Sequence, residues 1–183
     1  LKLKVILFVM LLTSACSFNA TTNSVDEKIM ENVAYPQSTE IIYKENFKNG
    51  IIVLYQDRTG FRSDFFIIKE NYFVKGGNAE LNPEGGLSWT MRNDPHIPIV
   101  LFGGVITDEK IEEIIVKQRT VEQKARIIDT DYGKRYWFAT FEVLEESLHG
   151  EGDPLKIEAY DDKGNLYWKS GVYDEGLYEG RTN

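Results

Sequence analysis

The sequence predicts a mostly β protein: an antiparallel β-sandwich, preceded by a short N-terminal helix or tether. Three observations carry that expectation. Past residue 39, short runs of β-branched and aromatic residues alternate with Asn, Asp, Gly and Pro turn cues at roughly even intervals. Aromatic residues make up 13% of the chain, with ten Phe, ten Tyr and three Trp, and such residues favour a pleated, half-buried surface. Beyond Pro36 no segment keeps a 3.6-residue apolar period over three turns, as an amphipathic helix would.

The first residues are of another kind. Lys2 and Lys4 precede an uncharged apolar run over residues 5–12, the charged and hydrophobic regions of a signal peptide. The run is too short to span a bilayer, which needs about 20 residues. It leads into Leu12-Thr13-Ser14-Ala15-Cys16, which resembles the lipobox of bacterial lipoproteins. The resemblance implies thioether diacylation of Cys16 and cleavage between Ala15 and Cys16, with residues 1–15 removed as the signal peptide. Two acyl chains hold a protein stably on a membrane without crossing it, so the implied location is the extracytoplasmic face of the cell membrane.

Residues 16–37 read as the lipidated cysteine and a tether. Residues 17–23 are small and polar. Ser24 and Glu27 then have the spacing of a capping box, and Val25, Ile29, Met30 and Val33 follow at helical spacing, so a short helix is expected over residues 24–34.

Residues 38–96 form a first β segment. Asn49-Gly50 is a hairpin cue ahead of the buried-strand run at residues 51–55. Residues 65–68 and 72–74 flank Glu70-Asn71 as a second hairpin, residues 76–86 are a Gly- and Pro-bearing loop, and residues 87–91 are a strand. Residues 97–171 form a second β segment, with strands expected at 97–107, 111–116, 125–128, 135–144, 155–160 and 166–169. Gly104-Val105-Ile106-Thr107-Asp108, Phe138 with Phe141, and Leu155-Lys156-Ile157-Glu158-Ala159-Tyr160-Asp161 followed by Gly164-Asn165 resemble the pattern of bacterial immunoglobulin-like domains. That resemblance implies a cysteine-free immunoglobulin-like sandwich, either joined to residues 38–96 in one domain or separate from it. Residues 172–183 read as a tail. As a whole the chain is similar to small, uncharacterised lipoproteins of low-GC Gram-positive bacteria. The shared features are the tether, the strand at residues 49–55 and Gly103-Gly104-Val105-Ile106, and they imply a location but no activity.

Composition narrows function further. Loss of Lys2 and Lys4 with the signal peptide takes the basic residues from 21 to 19 against 29 acidic ones, a net charge of −10. An acidic surface disfavours nucleic acid. With Cys16 the sole cysteine, no disulfide is available and stability rests on the core.

Few residues combine into recognisable chemistry. His96 lies in the constrained loop Asp94-Pro95-His96-Ile97-Pro98, where a hydrolytic reading would use His96 with Asp94. His149 lies in another loop, and neither histidine has metal-site spacing. Ser88 lacks the glycine that would complete a nucleophile elbow, Thr90 standing in its place. Asp129-Thr130-Asp131-Tyr132-Gly133 opens like a calcium loop but has Gly133 at the third ligand position, and reads as a hairpin turn. Gly103-Gly104 sits within a strand, the mark of a bulge or close backbone approach. Trp89, Trp137 and Trp168 are the candidates for a sugar- or peptide-stacking platform, although strand aromatics also serve as core and cross-strand pairs. No catalytic residue, metal or cofactor is expected. The leading expectation is a non-enzymatic binding or interaction module, with a small-ligand- or sugar-binding lipoprotein and an envelope hydrolase as the alternatives.

Overall fold

The computed structural model describes residues 24–75, 77–79, 84–118, 121–142, 155–174 and 176–182. The signal peptide, Cys16, residues 17–23 and His149 lie outside them. Helix α1 spans Val25–Asn32 and carries the expected capping box. The Ser24 hydroxyl accepts the Glu27 N–H at 3.2 Å, and the Glu27 carboxylate accepts the Ser24 N–H at 2.7 Å. The backbone turns extended at Val33 and makes one 3₁₀ turn at Pro36–Ser38.

The rest is antiparallel β in three sheets. Sheet A is a meander of β1 (Glu40–Phe47), β2 (Gly50–Asp57), β3 (Gly60–Ile67) and β4 (Tyr72–Val74). Its first hairpin loop is Lys48-Asn49, one residue earlier than the Asn-Gly cue, with Lys48 at φ 50° and Gly50 already paired to Phe47. Glycine is needed at position 50 because a β-carbon there would lie 2.4 Å from the Phe65 ring.

Sheet B has the order β5 (Leu87–Asn93), β6 (Val100–Ile106), β10 (Arg135–Phe141), β9 (Arg126–Asp129). Sheet C has the order β13 (Gly176–Arg181), β12 (Leu166–Tyr173), β11 (Leu155–Tyr160), β7 (Glu113–Gln118), β8 (Val121–Lys124). The turn at residues 108–110 carries the chain from sheet B to sheet C. The buried Ala125 is the corner where it returns, between β8 and β9.

These sheets stack. One face of sheet B packs on sheet C through Phe102, Ile114, Trp137, Ile157 and Trp168, among others. Its other face packs on sheet A through Leu54, Phe65, Leu101, Tyr136 and their neighbours. The far face of sheet A is covered by α1, whose Ile29 meets Val53, Tyr55, Phe66 and Phe73. Central strand β6 is therefore buried at every residue, and its near-continuous apolar sequence is what two covered faces demand.

One alternative left open by the sequence is decided here, and one expectation changes. The boundary at residues 96 and 97 falls inside the β5–β6 hairpin, so the two β segments share sheet B and one core. The tail at residues 172–183 instead completes β12 and forms β13, six residues paired without a break from Trp168↔Arg181 to Tyr173↔Gly176. Arg181 fixes the end of that strand through Asp108 Oδ2 at 2.8 Å.

A candidate binding face

Sheet A is covered on both faces, and so is sheet B; no described element packs on the outer face of sheet C. Strand alternation decides what stands there. Ile157 and Ala159 of β11 point into the core, so Lys156, Glu158 and Tyr160 point out. By cross-strand register Lys117 lies opposite Lys156, Ile115 and Lys169 flank Glu158, and Tyr178 lies opposite Gly171.

Lysines directly opposite each other repel, and the face resolves this by giving each a different partner. Lys117 Nζ bonds Glu158 Oε2 at 2.8 Å. Lys156 Nζ instead stands 4.4 Å from the Tyr173 ring centre, a cation–π contact. Lys169 Nζ lies 4.2 Å from the same ring and 4.6 Å from that of Tyr178. Glu158 also accepts the hydroxyls of Tyr160 at 2.5 Å and Tyr173 at 3.4 Å. Burial opposes ionisation of Glu158, but Lys117 and Tyr160 outweigh it and hold its carboxyl below the usual range. The Glu158 bond raises the Lys117 pKa in turn. The result is a half-buried lattice of three tyrosines, three lysines and one glutamate.

The tryptophans singled out in the sequence lie on the other side of this sheet. Trp137 and Trp168 are fully buried between sheets B and C, with Nε1 donating to the Ser88 carbonyl at 3.2 Å and the Gly85 carbonyl at 2.9 Å. Trp89 packs, partly buried, on the same core. Their rings fill the sandwich, and a ligand-stacking platform built on Trp137 and Trp168 would need faces that the core already occupies. Sequence reasoning missed Tyr160, Lys156 and Lys169; the signal that could have found Lys156 and Tyr160 is the alternation Lys-Ile-Glu-Ala-Tyr over residues 156–160.

The remaining candidates separate cleanly. His96 Nδ1 meets Asp94 Oδ1 at 2.8 Å, but its side chain is 79% exposed in the turn at residues 94–97 and, among the described residues, no nucleophile is bonded to the pair. The backbone N–H and then the ring of His96 hold the Asp94 carboxyl below its ordinary range. The Ser88 hydroxyl is buried with no hydrogen-bond partner among the described residues. Asp129 to Gly133 is the β9–β10 hairpin turn, with Gly133 at φ 74° and its N–H bonded to the Thr130 carbonyl. Gly103-Gly104 is a close approach: a β-carbon on Gly104 would lie 1.8 Å from the Ser88 carbonyl oxygen, and one on Gly103 2.7 Å from Ser63 Cβ. Among the described residues no group of three or more His, Cys, Asp or Glu could hold a metal ion.

A buried polar cluster also escaped sequence reading. Arg92 projects from β5 past the end of β4, where it bonds the Lys75 carbonyl, and reaches the fully buried Asp64 of β3 at 2.9 Å. Asp64 also accepts the Tyr55 hydroxyl at 2.7 Å. Burial raises the Asp64 pKa to about 6, against the opposing pull of Tyr55 and Arg92. Beside it, Asp57 pairs with Arg62 at 3.0 Å. This cluster ties sheet A to sheet B. A hollow of about 570 Å³ lies elsewhere, between the edges of β1 and β9, and is lined by Glu40, Asp129, Asp131, Lys134 and Tyr136 among others. Among the described residues no helix is long and apolar enough to cross a membrane. No family model, no curated protein and no solved structure matches the chain.

Proposed function

We propose that the chain is a lipid-anchored cell-envelope protein, tethered through Cys16, whose β-sandwich is a non-enzymatic module for binding a protein partner through the outer face of sheet C. The observation that carries this reading is that face itself. In a stack whose other sheet faces are covered, it presents Tyr160, Tyr173 and Tyr178 among lysines and Glu158. Tyrosine offers large contact area at low conformational cost and is enriched at interfaces.

The sandwich of sheets B and C is of the immunoglobulin-like kind in this reading. Lettered from Leu87, its strands run A-B-E-D in sheet B and G-F-C-C′ from β12 to β8 in sheet C, the arrangement of that fold. The first strand then begins ten residues before the start expected from the sequence pattern, and β13 is an addition beyond strand G.

Anchor and face are tested separately. Cys16→Ala abolishes acyl labelling and releases the protein from the membrane; unchanged mass and retention overturn the anchor. For the face, a photo-crosslinking residue at Tyr160 yields a discrete adduct in the native envelope, while one at the exposed Tyr132 does not. Equal labelling at both, or none at Tyr160, overturns the assignment of the face.

A further inference from the structure

Among the described residues the three open sheets present six edges, and an unprotected edge is a template for another strand. Five of the six carry a blunting device. β4 is three residues long, and β8 and β9 are four each. β1 has a register shift between Ile41 and Tyr43 and is latched across the seam by Arg126, which bonds Glu45 and the Tyr43 hydroxyl. β5 carries the inward-pointing Arg92. β13 has such a device only at its last residue, where Arg181 is latched to Asp108; the five residues before it are in unbroken register with β12 and contain no proline, lysine or arginine. Its Leu177 is 83% exposed and lies opposite Val172, itself 53% exposed, so the edge is flanked by an uncovered apolar pair.

From this contrast we infer that β13 is a strand-addition site, where an extended segment of another protein pairs antiparallel or parallel to residues 176–180 and extends sheet C. The partner segment has an apolar side chain to lie beside Leu177 and Val172, and a lysine or arginine to meet Glu179. The charge argues against a second copy of this chain. Across a twofold, residues on the same face oppose one another, so the best-overlapping registers centre on Tyr178 or Glu179. The first sets Leu177 against Glu179, and the second sets two Glu179 carboxylates against each other. Arg181 does not relieve either, being held by Asp108 and the Glu84 carbonyl. This inference stands apart from what the outer face of sheet C binds.

The test uses the full chain and a displayed library of random peptides of about ten residues, long enough to span one strand. The tightest selected peptide is then the probe, read by backbone amide hydrogen exchange. The expected result is slowing by at least about tenfold of amides within residues 176–181, with a basic residue recurring in the selected sequences. Leu177→Lys and Glu179→Lys each weaken the probe at least about tenfold while leaving the melting temperature and amide spectrum of the rest of the fold unchanged. Protection centred on another edge, or no peptide binding below the millimolar range, overturns the site. Protection of β13 that appears without peptide and rises with protein concentration, together with a dimer in sedimentation, overturns the choice of partner and assigns the edge to a second copy.

Discussion

Sheets B and C are made of similar strands, yet one is closed on both faces and the other on one, and each uses its sequence accordingly. In sheet B, β6 has no residue to spare for solvent, and the Gly103-Gly104 pair lets neighbouring side chains and backbone approach from both sides. In sheet C, every second residue of β7 and β11 is free of the core and carries a charge, a tyrosine or Ile115. The lesson is that in this molecule constraint sits in the middle layer and chemistry sits on the outside. Substitutions should therefore be costly in sheet B and cheap for stability on the outer face of sheet C.

The largest expected effect is at Gly104. A β-carbon 1.8 Å from the Ser88 carbonyl oxygen and 2.6 Å from Trp137 Nε1 has no rotamer to escape into. Gly104→Ala should cost more than about 3 kcal/mol, beyond ordinary overpacking, seen as a large drop in the denaturation midpoint or failure to fold. A loss under about 1 kcal/mol would mean that β5 shifts freely and sheet B is not the rigid layer described.

Next comes the rivet between sheets A and B. Arg92→Met removes the arginine that pairs with the fully buried Asp64 and should destabilise by about 3 kcal/mol at neutral pH. Adding Asp64→Asn should recover part of that loss, because a buried charge that has lost its arginine is gone; a double variant that loses the sum of the two single losses would show that the pair is not coupled.

Asp64→Asn alone tests pH dependence. Burial raises the folded pKa to about 6 from the model-peptide 3.8, so the folded state holds this proton more tightly than the unfolded chain. The contribution of Asp64 is fully present below about pH 4 and is lost as pH rises through 6, by roughly 2–3 kcal/mol. Asp57 and Asp108, whose pKa values are lowered, act in the opposite direction. The informative quantity is therefore the difference in stability between wild type and Asp64→Asn from pH 4 to 7. A flat difference would show that the environment of Asp64 is no less polar than water.

Much of the fold was legible because it is written locally. The capping box of α1, the apolar runs of β2, β6 and β10, and the turn at Asp161 to Asn165, where Asp161 caps two backbone N–H groups, each announce themselves within a few residues. The alternation of β11 was equally readable. What was not legible depends on distant residues. The first half of β3 carries Arg62, Ser63 and Asp64, which look solvated until Arg92 arrives from another sheet. Residues 176–181 are glycine-rich and look like a loose end. They become a strand because β12 pairs with them and Asp108, 73 residues upstream, holds Arg181. The tryptophans were read correctly as strand residues, but only the stacking of the sheets decides which face they occupy.

The smallest expected change in stability is on the outer face of sheet C, and it is the one that separates binding from folding. Lys156→Ser with Lys169→Ser removes the three cation–π contacts around Tyr173 and Tyr178 while leaving the Lys117–Glu158 ion pair and every core residue in place. Exposed contacts of this kind contribute about 0.5–1 kcal/mol each. Removing the lysines also ends their repulsion by each other and by Lys117, so the net loss should stay under about 1 kcal/mol. The melting curve should barely move, whereas adduct formation from Tyr160 should fall sharply, since the lysines orient the rings that the partner meets. If stability falls as far as for Arg92→Met, the lattice is a structural brace and the contrast between a constrained middle sheet and a free outer face fails.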